Sequence, residues 1–453
     1  MQTARFVSGS TRRHIIIMTS TQTLSLLAIF LVDFIDMLFL SMLGEVELAA
    51  AIGYSGTILF FTTSICIGLS IASGALVARA LGANEPVRAK RFIINSYVAS
   101  LVCTIPIALA IWLATPALLN MLGATGRAHE LASLYLRIII PSMPLLALAM
   151  ASNGVLRGVG DARRSLYAML AGSAVNAILD PILIFGLGLG IAGAALASIA
   201  ARLTIMLVSL YYVCRVHRLL DRFQPSLFWP DLRPFFSIAL PAILTNIATP
   251  VGNAYVIASM ATFGDSAVAG SSIISRLAPV AFCAVFALSG SVGPIIGQNF
   301  GAKRIDRVRQ TLWDSLQLVT LYVLIIWLLL AVSRHHIIAL FGVSDDAAAL
   351  ILLFCLWLTP SFIFNGASFA SNAAFNNLGV AHYATLLNFG KATIGTIPFV
   401  YFGSLWYGAA GVMIGQALGA ILFGILGSVV VFAHIARLEH QTAAPPQATP
   451  PTP

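Results

Sequence analysis

The chain has 453 residues, of which 59% are hydrophobic and only 9% are charged, and its formal net charge is +9. A soluble domain carries about 25% charged residues, so this composition excludes a soluble globular protein and indicates a polytopic membrane protein. The apolar segments are too long and too continuous for the short alternating strands of a membrane β-barrel.

Twelve apolar runs follow one another along the chain, and each is long enough to cross about 30 Å of hydrocarbon as a helix. We number them spans 1 to 12 and predict an all-α membrane protein. Span 1 is not a signal peptide, because it is too long and contains Asp33 and Asp36. The expected limits of the spans are 15–43, 48–78, 92–118, 128–156, 164–186, 191–214, 233–262, 267–297, 311–333, 346–376, 382–403 and 408–436.

The basic residues predict how the chain is oriented in the membrane. If the N-terminus is cytoplasmic, only Arg127, Arg137 and Arg334 of the 25 Lys and Arg residues fall in outer segments. This asymmetry follows the positive-inside rule and predicts that both termini are cytoplasmic, in an inner or plasma membrane. We therefore expect the basic excess to contact anionic membrane lipids and not nucleic acid.

The two halves of the chain resemble each other at an offset of about 219 residues. ALGANEPVRAKR from Ala80 aligns with NFGAKRIDRVRQ from Asn299, and Asn153 aligns with Asn372. Each half contains six spans, so both halves enter the membrane in the same direction. Such a parallel repeat is typical of alternating-access carriers.

The repeat predicts two six-helix lobes around a central cleft. The predicted division is a cytoplasmic N-terminus (1–14), an N-lobe (15–214), a cytoplasmic inter-lobe loop (215–232), a C-lobe (233–437) and a disordered cytoplasmic tail (438–453).

Two acidic residues interrupt the apolar runs, Asp36 in span 1 and Asp180 in span 5. Placing an ionised group at membrane depth costs about 3 kcal/mol of free energy or more, so such a group usually has a function. Both acids lie about 9–12 Å inside the outer helix ends, and Asn176 projects from the same face as Asp180. The pattern predicts a protonatable or cation-binding cluster. The alternative is that these polar groups only hydrogen-bond to one another and have a structural role. Asp33 either joins this cluster or is solvated in the cavity.

The second half has no acidic counterpart of these residues. Span 11 instead contains Lys391, for which a structural or snorkelling role and a substrate or gating role are both open. Arg202 and Arg276 are the other basic residues inside spans. Tyr255 and Asn372 are candidates for lining a cavity.

No Walker A motif, GxSxG elbow, HExxH or CxxC pair occurs in the chain. The five cysteines lie apart, without the spacing of metal ligands or disulfides, and we interpret them as small apolar residues. The sequence therefore predicts no enzyme and no cofactor. Active transport would draw on an ion gradient.

The chain resembles the multidrug and toxic compound extrusion (MATE) family, within the wider multidrug, oligosaccharidyl-lipid and polysaccharide exporter superfamily. The resemblance extends over nearly the whole chain. It implies twelve helices in two six-helix lobes with a V-shaped cleft, and export of varied, often cationic, amphipathic compounds in exchange for protons or sodium ions. The segments that carry it are DMLFLSMLGEVELAA from Asp36, ALVARALGA from Ala75, NGVLRGVGDARRS from Asn153 and NAILDPILIFGLGLGIAGAALAS from Asn176.

The resemblance also assigns site residues. It places polar contributors from span 4 at Tyr135 and Asn153. NorM-like members carry acids in spans 7 and 10 that this chain lacks, so the pattern is closer to DinF-like members. A non-proline residue near Thr21 stands where those members carry a proline, which leaves a bend of span 1 open. The cation-coupling cluster of the family falls on Asp36, Asn176, Asp180 and Ser198.

We therefore expect a monomeric, cation-coupled antiporter that exports small cationic amphipathic compounds. The favoured coupling ion is the proton, and the alternative is Na⁺ held by Asp36, Asp180 and Asn176. One alternative function is a lipid-linked saccharide flippase of the same superfamily, which would need several basic residues in its cleft. An integral-membrane enzyme and a channel are the alternatives from other classes.

Overall fold

The computed structural model describes residues 4–43, 46–343 and 345–443, and within these ranges it contains helices and no β-strand. The helical stretches are Thr11–Leu40, Glu47–Gly82, Pro86–Met121, Gly126–Val159, Ala162–Gly186, Gly190–Val216, Pro225–Ala261, Asp265–Ala281 with Cys283–Gly301, Ile305–Phe341, Asp346–Leu378 and His382–Gln441.

These stretches account for all twelve predicted spans. Span 8 is a pair of helices bent by 45° where they meet at Phe282. Spans 11 and 12 form one stretch, His382–Gln441, that is kinked at Gly408. The φ of 57° and ψ of −138° at this residue are essentially restricted to glycine, so the kink requires it. The predicted all-α polytopic fold is confirmed.

The repeat is visible in local backbone geometry. Span 4 changes to a 3₁₀ turn at Ile140–Ser142, and span 10 does so at Thr359–Ser361. Each turn contains a proline, Pro141 and Pro360, which lacks the N–H needed to continue an α-helix. The same irregularity therefore occurs at equivalent positions of the two halves.

The connection between the two halves is shorter than predicted. Span 6 ends at Val216 and span 7 begins at Pro225, so only residues 217–224 remain of the predicted loop 215–232. The last helix continues to Ala443, beyond the predicted end of the C-lobe, and the remaining residues of the predicted tail lie outside the described ranges.

Two glycines bring the halves into contact at the inner end, which we define as the end where span 1 begins and which we predict to be cytoplasmic. A Cβ atom at Gly82 would lie 2.0 Å from the carbonyl oxygen of Gln298, and one at Gly301 would lie 2.1 Å from that of Arg79. In the repeat, Gly82 corresponds to Gly301 and Arg79 to Gln298. The contact is thus self-complementary, like the isologous interface of a two-fold dimer. We call these four residues the inner contact.

Side-chain hydrogen bonds follow the same symmetry. Arg79 Nε donates to the carbonyl oxygen of Asn377 at 2.8 Å, and Gln298 Nε2 donates to that of Gly158 at 2.8 Å. Asn377 and Gly158 are also equivalent in the repeat. Hydrogen bonds between the halves cluster at this end, so the cleft between the halves is closed there.

The N-terminal segment, residues 5–10, reinforces this closure. Phe6 is 4% exposed, and its N–H donates to Gln298 Oε1 at 3.0 Å. Its carbonyl oxygen accepts a hydrogen bond of 2.9 Å from Arg307 Nη2. The first turn of span 1 then forms a salt bridge of 3.0 Å with Asp314 in span 9. The segment that precedes span 1 is thus bound to the second half of the chain.

Candidate functional site

Asn176 lies between the two intramembrane acids. Its Nδ2 donates to Asp180 Oδ2 at 2.5 Å and lies 3.2 Å and 3.4 Å from the two carboxyl oxygens of Asp36. An amide nitrogen carries two hydrogens, so it can serve both carboxyl groups. Asn176 and Asp180 are one turn apart in span 5, which packs against span 1. The structure thus brings together three of the four residues of the predicted cluster.

The acid pair is poorly solvated. Asp180 is fully buried, and its Oδ1 has no hydrogen-bond partner in the described part of the chain. Asp36 is half-buried. Two carboxylates that share one donor repel each other, and a buried unpaired oxygen costs about 1–3 kcal/mol. A bound proton or monovalent cation would relieve both penalties.

Local packing fixes the position of Asp180. Pro181 follows it, and the chain then changes to the wider π-helical turn Ile182–Gly186. Span 6 approaches this turn at Gly193, where a Cβ atom would lie 2.7 Å from the carbonyl oxygen of Leu183. The proline and the glycine therefore allow spans 5 and 6 to meet just outward of the acid pair.

Span 4 and span 6 form the wall beside the acids. The hydroxyl of Tyr135 contacts Ser198, and it lies within electrostatic range of Asp36, Asp180 and Arg202. The described residues show no hydrogen bond from Ser198 to either acid. Ser198 is therefore connected to the cluster through Tyr135. Arg202, one turn further along span 6, donates to Ser142 Oγ at 2.8 Å and lies within electrostatic range of Tyr135.

Two other predicted residues make no hydrogen bond to the acid pair in the described part of the chain. Asp33 is exposed, but its carboxylate lies within electrostatic range of Asp36. Asn153 is 2% exposed, accepts a hydrogen bond of 2.8 Å from Ser165 and donates one of 2.9 Å to the carbonyl oxygen of Ala149. These contacts give Asn153 a packing role between spans 4 and 5.

The predicted residues of the second half also lie elsewhere. Tyr255 is half-buried against the hydrophobic core of that half. Asn372 accepts a hydrogen bond of 3.0 Å from Asn388, and Lys391 Nζ donates one of 2.6 Å to Asn365 Oδ1. Within the described ranges, no group of three or more His, Cys, Asp or Glu could hold a metal ion. Two carboxylates and an amide are hard oxygen donors, which suit a proton or Na⁺ better than a transition metal.

Sequence reasoning did not single out the residues that close the inner end. Gln298 belongs to no motif and Arg307 only to the repeated segment from Asn299, and each closes the inner end through a contact with a distant part of the chain. The repeat contained one usable signal, because it aligns Gln298 with Arg79.

A helical bundle that crosses the membrane many times, with an acid pair buried in one of its two repeats, defines a polytopic membrane transporter. The sequence profile of the MatE family matches residues 23–182 and 241–402, one segment in each half. The chain therefore belongs to the MatE family, whose members are secondary transporters and not enzymes. The double match agrees with the internal repeat.

Known relatives cover most of the chain. It is 28% identical to an FAD transporter of Shewanella oneidensis over 396 residues, 86% of this chain and 87% of the relative. It is 26% identical to the multidrug export protein MepA of Staphylococcus haemolyticus over 416 residues, 90% and 91% of the two chains.

A solved structure has the same fold. It shows the outward-facing conformation of a multidrug resistance MATE family transporter of the MOP superfamily and aligns with a TM-score of 0.91 at 21% identity, covering 97% of this chain and 99% of that one. The predicted family is thus confirmed, and the closeness to DinF-like members stays a prediction.

Proposed function

We propose that the protein is a cation-coupled antiporter that exports small amphipathic organic cations by alternating access. Its similarity to MepA supports drug efflux. The observation that carries the coupling is the acid pair, in which Asn176 contacts both Asp36 and Asp180 while one buried carboxyl oxygen stays unpaired. At the equivalent positions of the second half the sequence has Tyr255 and Phe399, which carry no carboxyl group.

The closed inner end suggests the order of events. With the cleft closed there, the coupling ion reaches Asp36 and Asp180 from the outer side. Its binding removes the charge repulsion of the pair and weakens the attraction for a cationic substrate, which leaves to the outside. By thermodynamic reciprocity, the substrate must weaken ion binding to the same extent. We favour the proton, because a protonated carboxyl group that is hydrogen-bonded to an amide needs no complete coordination shell.

Transport by purified protein in proteoliposomes tests this function. We expect Asp36→Asn and Asp180→Asn to abolish substrate-driven ion movement, with a pH gradient and a Na⁺ gradient imposed separately. Asp221→Asn is the matched control, because Asp221 is exposed in the connection between the halves. Full coupled exchange by correctly inserted Asp36→Asn and Asp180→Asn proteins would refute the proposal. A response to the Na⁺ gradient alone would replace the proton by Na⁺.

A second cargo is supported by a different observation. One of the relatives is an FAD transporter, and FAD carries a negatively charged pyrophosphate. The basic residue Lys391 in the second half is compatible with such an anion. FAD and a cationic dye, offered separately to the same proteoliposomes, distinguish the two cargoes by which of them drives ion movement.

We further propose that the chain acts as a monomer in an inner or plasma membrane, with both termini on the cytoplasmic side. The basic residues of the inner segments support this orientation. The predicted division into an N-lobe and a C-lobe belongs to the same proposal, and the symmetric inner contact supports it.

A further inference from the structure

Two clusters of charged side chains join the halves at the inner end, and neither belongs to the acid pair or to the inner contact. The first lies between span 3 of the first half and span 7 of the second. Asp231 is 6% exposed and accepts two hydrogen bonds from Arg91, at 2.7 Å and 3.1 Å, and one of 2.8 Å from Asn95 Nδ2. Such a two-pronged contact is a strong geometry between arginine and a carboxylate. We call these three residues the Asp231 cluster.

The second cluster lies between span 1 of the first half and span 9 of the second. Asp314 is 3% exposed and accepts a hydrogen bond from the hydroxyl group of Thr11 and one of 3.0 Å from Arg12 Nε. Arg12 Nη2 also donates to Gln317 Oε1 at 2.6 Å. We call these four residues the Asp314 cluster. In both clusters, a nearly buried carboxylate is therefore held by donors from the other half of the chain.

The repeat relates the two clusters position by position. At the offset of about 219 residues, Asp231 corresponds to Arg12, Asn95 to Asp314 and Arg91 to Gln310. The same contact between a first and a third span of opposite halves thus occurs twice. The clusters are related by the pseudo-two-fold axis, so they lie on opposite sides of the inner contact, which is itself symmetric about this axis.

The two clusters have opposite polarity. The buried carboxylate belongs to span 7 in the Asp231 cluster and to span 9 in the Asp314 cluster, whereas span 7 is equivalent to span 1. The basic group changes sides with it. The two sites therefore share an ion pair between the halves and few other features, which indicates that the ion pair itself is what these positions provide.

An ion pair at this place suits a contact that must both form and separate. A buried carboxylate that loses its partner and stays dry is costly, so each pair favours the closed inner end. The basic side chains are less buried, with Arg12 60% exposed and Arg91 30% exposed. When the halves separate at this end, water reaches both groups and replaces the lost contact. The pairs can therefore stabilise closure without preventing opening.

We propose that the Asp231 cluster and the Asp314 cluster are two ionic latches, one on each side of the inner contact, which hold the inner end closed and separate when it opens. This inference rests on the alternating access proposed above, because such a carrier opens at its inner end once in each cycle. It assigns a gating role to two acids and two arginines outside the acid pair.

The rate at which a thiol reagent modifies the buried Cys283 measures opening, because Cys283 lies in span 8 against span 1. The half-exposed Cys103 and Cys214 are changed to serine beforehand. In purified full-length protein, without substrate or ion gradient, we expect Asp231→Asn and Arg12→Gln each to raise this rate at least about tenfold, because each removes one latch.

The repeat supplies a test by exchange. Arg12→Asp alone places two acids opposite each other and should raise the rate more than Arg12→Gln does. Adding Gln310→Arg and Asp314→Asn gives the second site the three residues of the Asp231 cluster, so this triple variant should return the rate close to that of the wild type. Such a return also shows that the faster variants are open and not unfolded. If the triple variant reacts as fast as Arg12→Asp, the two sites are not equivalent latches and the proposal is wrong.

Arg88→Gln is the matched control, because Arg88 is in the same span as Arg91 but pairs with Glu85 of its own half. It should leave the rate unchanged. A wild-type rate in either Asp231→Asn or Arg12→Gln, or an equal increase in Arg88→Gln, would overturn the proposal. Because modification of Cys283 requires neither cargo nor coupling ion, failure of the latches is distinguishable from failure of the proposed antiport.

Discussion

Asn176 links the acid pair because a single amide nitrogen contacts Asp180 in its own helix and Asp36 in another. The contact within span 5 follows from helical spacing alone, since residues four apart lie on one face. The contact with span 1 depends on how two helices are rotated against each other. An amide has no charge of its own, so it can accompany the pair whether a proton is bound or absent.

Asp161, in the turn between spans 4 and 5, provides a pH-dependent prediction. Burial raises the pKa of its carboxyl group, but hydrogen bonds from His217 and Arg164 outweigh this effect and lower the pKa to about 2. The folded-state pKa is below the ordinary value of 3.8, so the contribution to stability is complete above about pH 4 and is lost as the pH falls towards 2. We expect Asp161→Asn to destabilise the protein by about 1–3 kcal/mol at pH 7.

Thermal unfolding of the purified protein between pH 7 and pH 3 measures this effect. The Tm difference between wild type and Asp161→Asn should shrink below pH 4. The control is Asp306→Asn, because Asp306 pairs with Arg304 at the surface, where ion pairs contribute little. A Tm difference that is the same at every pH would contradict the assigned role of the carboxylate.

At this scale, sequence and structure agree only in part. The spacing of Asn176 and Asp180, and the matching depth of Asp36, predicted a cluster that the structure does bring together. The contact of Ser198 with Tyr135 and the separation of Asn153 from the acids were not predictable. Both depend on the rotation of whole helices, which the sequence of one helix does not contain.

Among the elements, the N-terminal segment has the clearest mechanical role. It precedes span 1 in the first half, yet Arg307 of span 9 donates to the carbonyl oxygens of Phe6 and Gly9, at 2.9 Å and 3.0 Å. Composition gives no sign of this, because the segment is short and polar. Long apolar runs predicted the spans. The position of the N-terminal segment could not be predicted in this way, because it is held through backbone carbonyl groups, which every residue has.

Replacing Arg307 should loosen the inner end. Arg307→Ala removes the donor that holds the N-terminal segment, so states that are open at the inner end gain population. The reporter is Cys283, which is 1% exposed and lies against span 1, with its Sγ 3.6 Å from the carbonyl oxygen of Thr23. We expect a thiol reagent to modify Cys283 at least about tenfold faster in Arg307→Ala.

The assay needs a background in which the half-exposed Cys103 and Cys214 are changed to serine. Arg309→Ala is the control, since Arg309 is in the same span but faces Glu439 at the surface. Equal modification rates in both variants would show that the N-terminal segment does not hold the inner end closed.

For the whole molecule, the two-fold repeat explains why the halves close as they do. Contacts between Gly82 and Gln298 and between Gly301 and Arg79 are one contact repeated by a pseudo-two-fold axis. Hydropathy and the repeat predicted the fold, because each is a property of long stretches of sequence. The closed end was not predictable, since one sequence must support both open and closed arrangements of a carrier.

The inner contact leads to a prediction about the transport cycle. A side chain at position 82 cannot coexist with the closed inner end, because its Cβ atom would already lie 2.0 Å from the carbonyl oxygen of Gln298, which belongs to backbone and cannot rotate away. Gly82→Val should therefore hold the halves apart at this end. By symmetry, Gly301→Val should do the same, because its Cβ atom would lie 2.1 Å from the carbonyl oxygen of Arg79.

Both variants should lose export, and a thiol reagent should modify Cys283 faster in both than in the wild type. Gly56→Val is the matched control, since Gly56 is in the same span as Gly82 and has no atom within 4 Å of a Cβ position. If Gly82→Val exports at the wild-type rate, the inner contact does not have to close during the cycle. An effect of Gly82→Val without one of Gly301→Val would instead show that the two halves move unequally despite their symmetric contact.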